Sequence, residues 1–390
     1  MSVLLSDASK TNPPSLHRGH GFLRWGIAGG FLGGLAVVAA ACGSDGGDAS
    51  GSASSTATGD TSGSTSTDDA DSTAGSTSTA ADGSSSDDGL GPGPEGEWVS
   101  LAPLAAGPRQ EDAVVALGDE IYMLGGFAEG AALVPTVEAY DPRLDSWRDI
   151  ADLPVPMHHP QAAAVGGRLW VLGFLTGFDF AADGRGYVYD PDTDTWADAP
   201  AMPVGTERGA GGVAVVGDAI YVLGGLRQTQ TVADAWVFDT ASESWFPIAD
   251  LPQPRDHMVA GAIDGTVYVV GGRDGAIAGH SAALFIYDDV TDSWSEGPSM
   301  PTSRGGQAGA VMGGRLYVAG GEGNGDVSSG VFDAWEVFEP GLGWTVLTPM
   351  PTPRHGTGAA AIGGVIFVPG GADVEAFGAV ATHEAWVVEP

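Results

Sequence analysis

The chain predicts an all-β repeat protein assembled from six copies of one four-stranded unit. Tryptophan returns at Trp98, Trp147, Trp196, Trp245, Trp294 and Trp344, with gaps of 49, 49, 49, 49 and 50 residues. A glycine pair closes the same apolar run in five of the six copies, and a spaced aromatic and acid precede five of these tryptophans. Self-similarity at such a period marks a repeat architecture, in which each unit buries its apolar face against the next.

Within a unit the first strand is small and apolar, as in Glu111 to Leu117, Gln161 to Val165 and Gly356 to Ile362, which suits strands crowded around an axis. A two-residue Gly/Asp turn follows, for example Gly118-Asp119, Gly217-Asp218 and Gly363-Gly364, residues that accept the positive φ of a tight hairpin. The second strand runs into the glycine pair in IYMLGG (121–126), AIYVLGG (219–225), TVYVVGG (266–272), RLYVAGG (315–321) and VIFVPGG (365–371). The second unit departs from this, ending RLWVLGF at Gly173-Phe174. The third strand closes with an aromatic and an acid before the tryptophan of the fourth, as in YDPRLDSW (140–147), YDPDTDTW (189–196), FDTASESW (238–245) and YDDVTDSW (287–294). The fifth unit has FEPGLGW, with Phe338 six residues before Trp344.

A glycine pair after the second strand followed by a spaced Tyr and Trp resembles the kelch repeat, and the resemblance covers residues 98 to 390. It implies a six-bladed kelch β-propeller of four-stranded blades. The last unit stops at Val387, Val388, Glu389 and Pro390 where others continue into a tryptophan strand, while one such strand, EWVSLAPL from Glu97, stands alone at the start. The N-terminal strand at Trp98 is therefore expected to complete the sixth blade and remove free sheet edges.

Three domains follow: 1–42 an export signal, 43–96 a disordered linker, 97–390 the propeller. Arg18, His20 and Arg24 precede an apolar stretch from Trp25 to Ala41 that ends in small residues, the pattern of a secretory signal. The sequence AAAC at Cys42, followed by Gly43 and Ser44, resembles the lipobox of bacterial lipoproteins and implies lipidation of Cys42, although Ala39 replaces the usual Leu. Plain cleavage after Ala41 and an uncleaved anchor remain open; all three readings place the repeats outside the cytoplasm. The Ser/Thr/Gly/Asp-rich segment that follows cannot bury enough apolar surface to fold. As a flexible coil it reaches about 40 Å, enough to hold a domain clear of a membrane.

The net charge is −35, with 50 Asp and Glu against 15 Lys and Arg. Such a field repels phosphate backbones, so no nucleic-acid partner is expected, and any membrane contact is through the lipid anchor alone. Cys42 is the only cysteine, which excludes disulfides, cysteine metal clusters and a cysteine nucleophile from the repeats.

The distance from Arg109, Met157, Arg208, Arg255, Arg304 and Arg354 to the first glycine of each pair is always 16, so this part is scaffold. Lengths vary between the glycine pair and the third strand, and between the tryptophan and the next Arg column. Those two sets of loops share one face of a propeller, where binding sites are usually mounted. Arg109, Arg208, Arg255, Arg304 and Arg354 converge near the channel mouth, either as an anion-binding ring or as structural groups bonded to carbonyls and acids. His158, His159, His257 and His355 adjoin the same column. Of these, His159, His257 and His355 join the five arginines as candidate ligand-binding residues. No metal and no cofactor are expected, because these histidines share no local ligand spacing and Asp190, Asp192 and Asp194 read as a hairpin turn. In the second unit, Phe174, Phe178 and Phe180 form either an apolar contact patch or a plug for the altered unit.

Kelch propellers include copper enzymes resembling galactose oxidase, which need a Tyr crosslinked to Cys; no Cys lies in 97–390, and seven of eight tyrosines occupy repeat positions. The expected function is a cell-envelope binding module that engages a protein or glycan through its loop-bearing face. The alternative resembles the exported sialic-acid mutarotase, with Glu111, Asp256 or a loop histidine as acid and base. No catalytic residue is assigned.

Overall fold

The computed structural model describes residues 93–388. The signal segment, Cys42 and nearly all of the linker lie outside them. Among the described residues there are six four-stranded antiparallel sheets. The first comprises Ala113–Leu117, Glu120–Leu124, Val137–Asp141 and Ser146–Asp149, paired in sequence order. The next four repeat that order, with first strands Ala162–Val165, Gly212–Val216, Val259–Ile263 and Ala308–Met312. In the sixth, Ala360–Ile362, Val365–Pro369 and His383–Val388 come from the end of the chain, and Gly96–Ser100 supplies the fourth strand. Its register sets Trp98 opposite Trp386 and Val99 opposite Ala385.

Side chains alternate across each sheet, so every sheet has two apolar faces, and the core is distributed between neighbours. Tyr122, Leu124 and Val137 of the first sheet pack on Leu169, Val171 and Phe174 of the second. Equivalent cores join each later pair, and Ile121 and Tyr140 of the first sheet pack on Phe367 and Ala385 of the sixth.

Two sets of hydrogen bonds run from sheet to sheet. At the outside, each repeat tryptophan donates its indole N–H to a carbonyl following the fourth strand of the preceding sheet. Trp147 reaches Ala102 at 3.0 Å, Trp196 reaches Ala151 at 2.9 Å, and Trp98 reaches Thr348 at 3.1 Å. Trp245, Trp294 and Trp344 do the same with Pro200, Ala249 and Pro298. This is the physical reason for the tryptophan period.

At the inside, the residue two positions after the arginine column donates its backbone N–H to the equivalent carbonyl of the preceding unit. The series runs His159 to Glu111, Ala210 to His159, His257 to Ala210, Gly306 to His257, Gly356 to Gly306, and Glu111 back to Gly356, over 2.5 to 3.1 Å.

The glycine pair is required by both conformation and space. Gly224 and Gly225 have φ of 56° and 108°, and a Cβ on Gly225 would lie 2.5 Å from the Gly209 carbonyl oxygen. Where the second unit has Phe174, the chain does not turn. The strands lengthen to Arg168–Thr176 and Ala181–Asp190, with a register shift between Leu172 and Phe174.

Candidate functional site

In all six units the residue before the inner ring pairs with the residue after the glycine pair: Gln110 with Phe127, His158 with Leu175, Gly209 with Leu226, Asp256 with Arg273, Gly305 with Glu322, and His355 with Ala372. The two classes of variable loop therefore meet on one face, around the inner ring.

The five column arginines do not line that opening. All are buried. Arg109, Arg304 and Arg354 pair with Glu138, Glu336 and Glu384 of their own third strands, the last two at 2.6 and 2.9 Å. Arg208 bonds only carbonyls, of Thr206, Val222, Gly224 and Asp234, and burial pushes its pKa down to about 10. Arg255 bonds Gln253 and lies over the Phe285 ring, 5.5 Å from its centroid. Of the two readings the sequence left open, the side chains take the structural one, within their own units rather than across to a neighbour. Arg208, Arg304 and Arg354 also bond the second-strand carbonyls of Val222, Val318 and Val368, tying second strand to third, since a buried guanidinium is costly without acceptors. The partner signal was present in sequence: the third-strand position two before the aromatic is Glu138, Glu336 and Glu384 in three of these units and Phe285 in a fourth.

The opening is built instead from the inner ring. Its six residues have left-handed backbones, with φ of 56° at Glu111, 50° at His159, 56° at Ala210, 51° at His257, 66° at Gly306 and 64° at Gly356. Glycine takes that conformation freely, whereas other residues lose about 1–2 kcal/mol. Glu111, His159 and His257 hold it nonetheless, which marks the position as a candidate for function.

Their side chains meet. Glu111 Oε2 lies 2.8 Å from His159 Nε2, which lies 2.7 Å from His257 Nε2. His257 Nδ1 donates to Asp256 Oδ1 at 2.6 Å, and Thr231 Oγ1 donates to the other Asp256 oxygen at 2.5 Å. Arg273 donates Nε to Asp256 at 3.1 Å, pairs with Glu322, and approaches His257 Nε2 at 3.1 Å. His159 Nδ1 faces His158 Nδ1 at 2.5 Å, and His158 Nε2 donates to the Gly177 carbonyl at 3.0 Å. His355 lies 3.5 Å from Glu322 and bonds the Val374 carbonyl. His159, His257 and His355 are therefore buried, networked groups rather than surface histidines.

Electrostatics separates these groups. Burial raises the Glu111 pKa, but His159, His257 and His355 outweigh it and hold the carboxyl well below the usual range. Burial likewise opposes ionisation of Asp256, yet the His257 hydrogen bond and charge lower it strongly. Burial and the neighbouring His159 push His158 down to about 3, and burial with Arg273 lowers His257. Asp112, on the inner-strand side, is pushed up to about 8 by burial against the pull of Arg109.

Glu111, His159 and His257 border two cavities. One, of about 230 Å³, runs along the first strands and is lined from all six units. The other, of about 100 Å³, lies among the loops, bounded also by Phe127, Phe180, Arg273, Glu322 and Phe377. The second unit's phenylalanines divide their roles: Phe174 is core, Phe180 packs against His158 and His159, and Phe178 is exposed and stacked on Phe127 at 5.7 Å. Sequence reasoning missed Arg273 and Glu322. They are the two charged residues in a column otherwise filled by Phe127, Leu175, Leu226 and Ala372.

Residues 159–371 match the KLHDC2/KLHL20/DRC7 Kelch-repeats domain, and residues 113–154 match the Kelch motif. The chain is 35% identical over 197 residues to Kelch-like protein terF of Aspergillus terreus, covering 46% of this chain and 43% of that protein. It is 32% identical over 177 residues to Kelch-like protein 35 of Mus musculus, covering 45% and 29%. The chain thus spans less than half the length of these curated relatives. The solved structure titled "Structure of YjhT" has the same fold, with a TM-score of 0.60 at 15% identity over 73% of this chain and 95% of that one. The chain belongs to the kelch-repeat family.

Proposed function

We propose that this chain is an exported, lipid-tethered binding module, a closed six-bladed propeller whose loop face captures a protein segment carrying apolar and cationic side chains. The observation that carries the reading is the composition of that face. Phe178, Val327, Val374 and Phe377 are exposed there, interleaved with the exposed acids Glu129, Asp179, Asp274, Asp326, Asp373 and Glu375. Exposed apolar groups rimmed by like charges mark interaction surfaces, and the acids favour a basic partner. Closure of the blades is supported by both sheet-to-sheet hydrogen-bond series. Export and tethering rest on the Arg18 to Cys42 pattern and the polar spacer; a glycan is the other ligand class such aromatic rings could stack upon.

The test is fluorescence anisotropy of the full-length chain with labelled Leu/Lys and Leu/Glu peptides of equal length. The Leu/Lys peptide is expected to bind, more weakly at high salt, and at least tenfold more weakly to a Phe178→Ser, Phe377→Ser double variant. Equal binding of both peptides, or none, contradicts the reading, and selective retention of oligosaccharides would transfer it to glycans. Tethering is read separately: the wild type should partition into detergent and incorporate labelled fatty acid, and Cys42→Ala should do neither.

A sugar-processing activity is the second reading, favoured by the 2.8 Å contact of Glu111 with His159, which offers a proton acceptor and donor at a cavity wall. The column arginines are buried, so an acidic sugar would have to be clamped by Arg273. Accelerated anomer exchange on sialic acid, abolished in Glu111→Gln, would establish it.

A further inference from the structure

The inner ring places three metal-ligating atoms from the first, second and fourth units around one point. Glu111 Oε2, His159 Nε2 and His257 Nε2 are separated by 2.8, 2.7 and 3.9 Å. Those separations put the three atoms on a circle of about 2.0 Å radius, the length of Zn–N and Zn–O bonds; tetrahedral zinc sets its donors about 3.3 Å apart, so the two shorter contacts open by about 0.5 Å when the ion enters. We propose that Glu111, His159 and His257 form a binding site for one divalent transition-metal ion of the zinc class, with its remaining coordination positions open to the adjoining cavities.

Three further features fit this assignment, and none depends on the ligand-binding reading above. The first is the hydrogen bonding behind each imidazole. The Asp256 carboxylate accepts from His257 Nδ1, so a neutral His257 carries its lone pair on Nε2. The Gly177 carbonyl accepts from His158 Nε2, which makes Nδ1 of a neutral His158 an acceptor and Nδ1 of His159 its donor. The His159 lone pair then also lies on Nε2. With both imidazoles neutral, two lone pairs and a carboxylate oxygen thus face one another, an arrangement that repels unless a proton or a metal cation stands between them. The Asp256 carboxylate behind His257 is the usual outer support of a metal-bound histidine, while His159 is backed by the His158 ring.

The second feature is charge. Glu111, Asp256 and Glu322 supply three carboxylates, and Arg273 supplies one guanidinium tied to Asp256 and Glu322. With neutral histidines the cluster carries two net negative charges, which a dication balances. Arg273 also reaches toward His257 Nε2 at 3.1 Å, a contact that metal binding would replace.

The third is room and strain. The donors occupy three left-handed ring positions, while Ala210, Gly306 and Gly356 fill the others. A Cβ on Gly356 would come within 2.8 Å of Glu111 Oε1, so glycine there keeps the space the carboxylate uses.

The full-length chain, stripped with a chelator, is titrated with Zn(II) against a chromophoric competitor, and bound metal is counted by mass spectrometry. One equivalent per chain is expected. His159→Gln and His257→Gln should each weaken binding at least 100-fold, Asp256→Asn roughly 10- to 100-fold as a lost outer partner, and His280→Ala should leave it unchanged. X-ray absorption on the zinc-loaded wild type, which needs no variant to fold, should show two imidazoles at about 2.0–2.1 Å. No stoichiometric uptake, uptake that the double His159→Gln, His257→Gln variant retains, or an all-oxygen shell would overturn the assignment.

Discussion

Individual residues in this chain do two kinds of work, and their positions within the repeat tell them apart. The arginine column is structural: each guanidinium bonds groups inside its own unit, an acid for Arg109, Arg304 and Arg354 and neutral acceptors for Arg208 and Arg255, and removing an acid would strand its buried arginine in the core. Two places later, Glu111, His159 and His257 accept an unfavourable backbone to present donor atoms at the opening. Sequence spacing located the arginine column but gave no side-chain direction, which is why the arginines read as a possible anion ring. The histidine and glutamate cluster was not legible either, because its members lie 48 and 98 residues apart and only the ring brings them within bonding distance.

His383 gives a test at the same scale. It is buried beside Tyr140, donates Nδ1 to the Ala102 carbonyl, and burial pushes its pKa down to about 4. The unfolded chain protonates it near pH 6.5, whereas the folded chain resists until about 4. The unfolded state therefore binds more protons in that window, so stability falls as pH drops from about 6.5 to 4 and this contribution levels off below. Urea unfolding should show His383→Gln losing less stability than the wild type between pH 7 and 4, by on the order of 2 kcal/mol. Identical pH slopes would show that His383 is not held neutral.

At the scale of elements, strand identity and turn position were readable because period-2 apolar runs bounded by Gly and Asp have few alternatives. The second unit shows the limit. Its missing glycine announced a departure, yet only packing decided that Phe174 enters the core and the hairpin extends, leaving Phe178 exposed and Phe180 against the histidines. The N-terminal strand is the element on which most depends. Trp98 packs against Trp335 and Trp386, with ring centroids 5.2 and 5.6 Å apart, and bonds Thr348. Trp98 is half-buried, so Trp98→Ala is expected to destabilise the fold by about 2–3 kcal/mol, below the cost of emptying a full core site. Truncation before Leu101 would also bare the edge of His383–Val388 and promote aggregation. A melting temperature within a degree or two of wild type for Trp98→Ala would remove this strand from the core account.

Across the whole molecule, each sheet buries its two apolar faces against its two neighbours, so separating any pair exposes core on both. The inner series of backbone bonds and the outer series of indole bonds both lead from the sixth unit back to the first, and the face they organise holds the cavities, the exposed phenylalanines and the polar cluster. The proposed binding face, the proposed metal site and the stability are accordingly tied to one property, the meeting of the two ends of the repeat. Val99 and Ala385, partners in that meeting, can be replaced by cysteine in a Cys42→Ser background and oxidised. Opposed strand residues satisfy the Cα spacing of a disulfide. The account expects a bond within one chain, mapped by mass spectrometry, together with a raised melting temperature. Free thiols, or bonds formed only between chains, would contradict it.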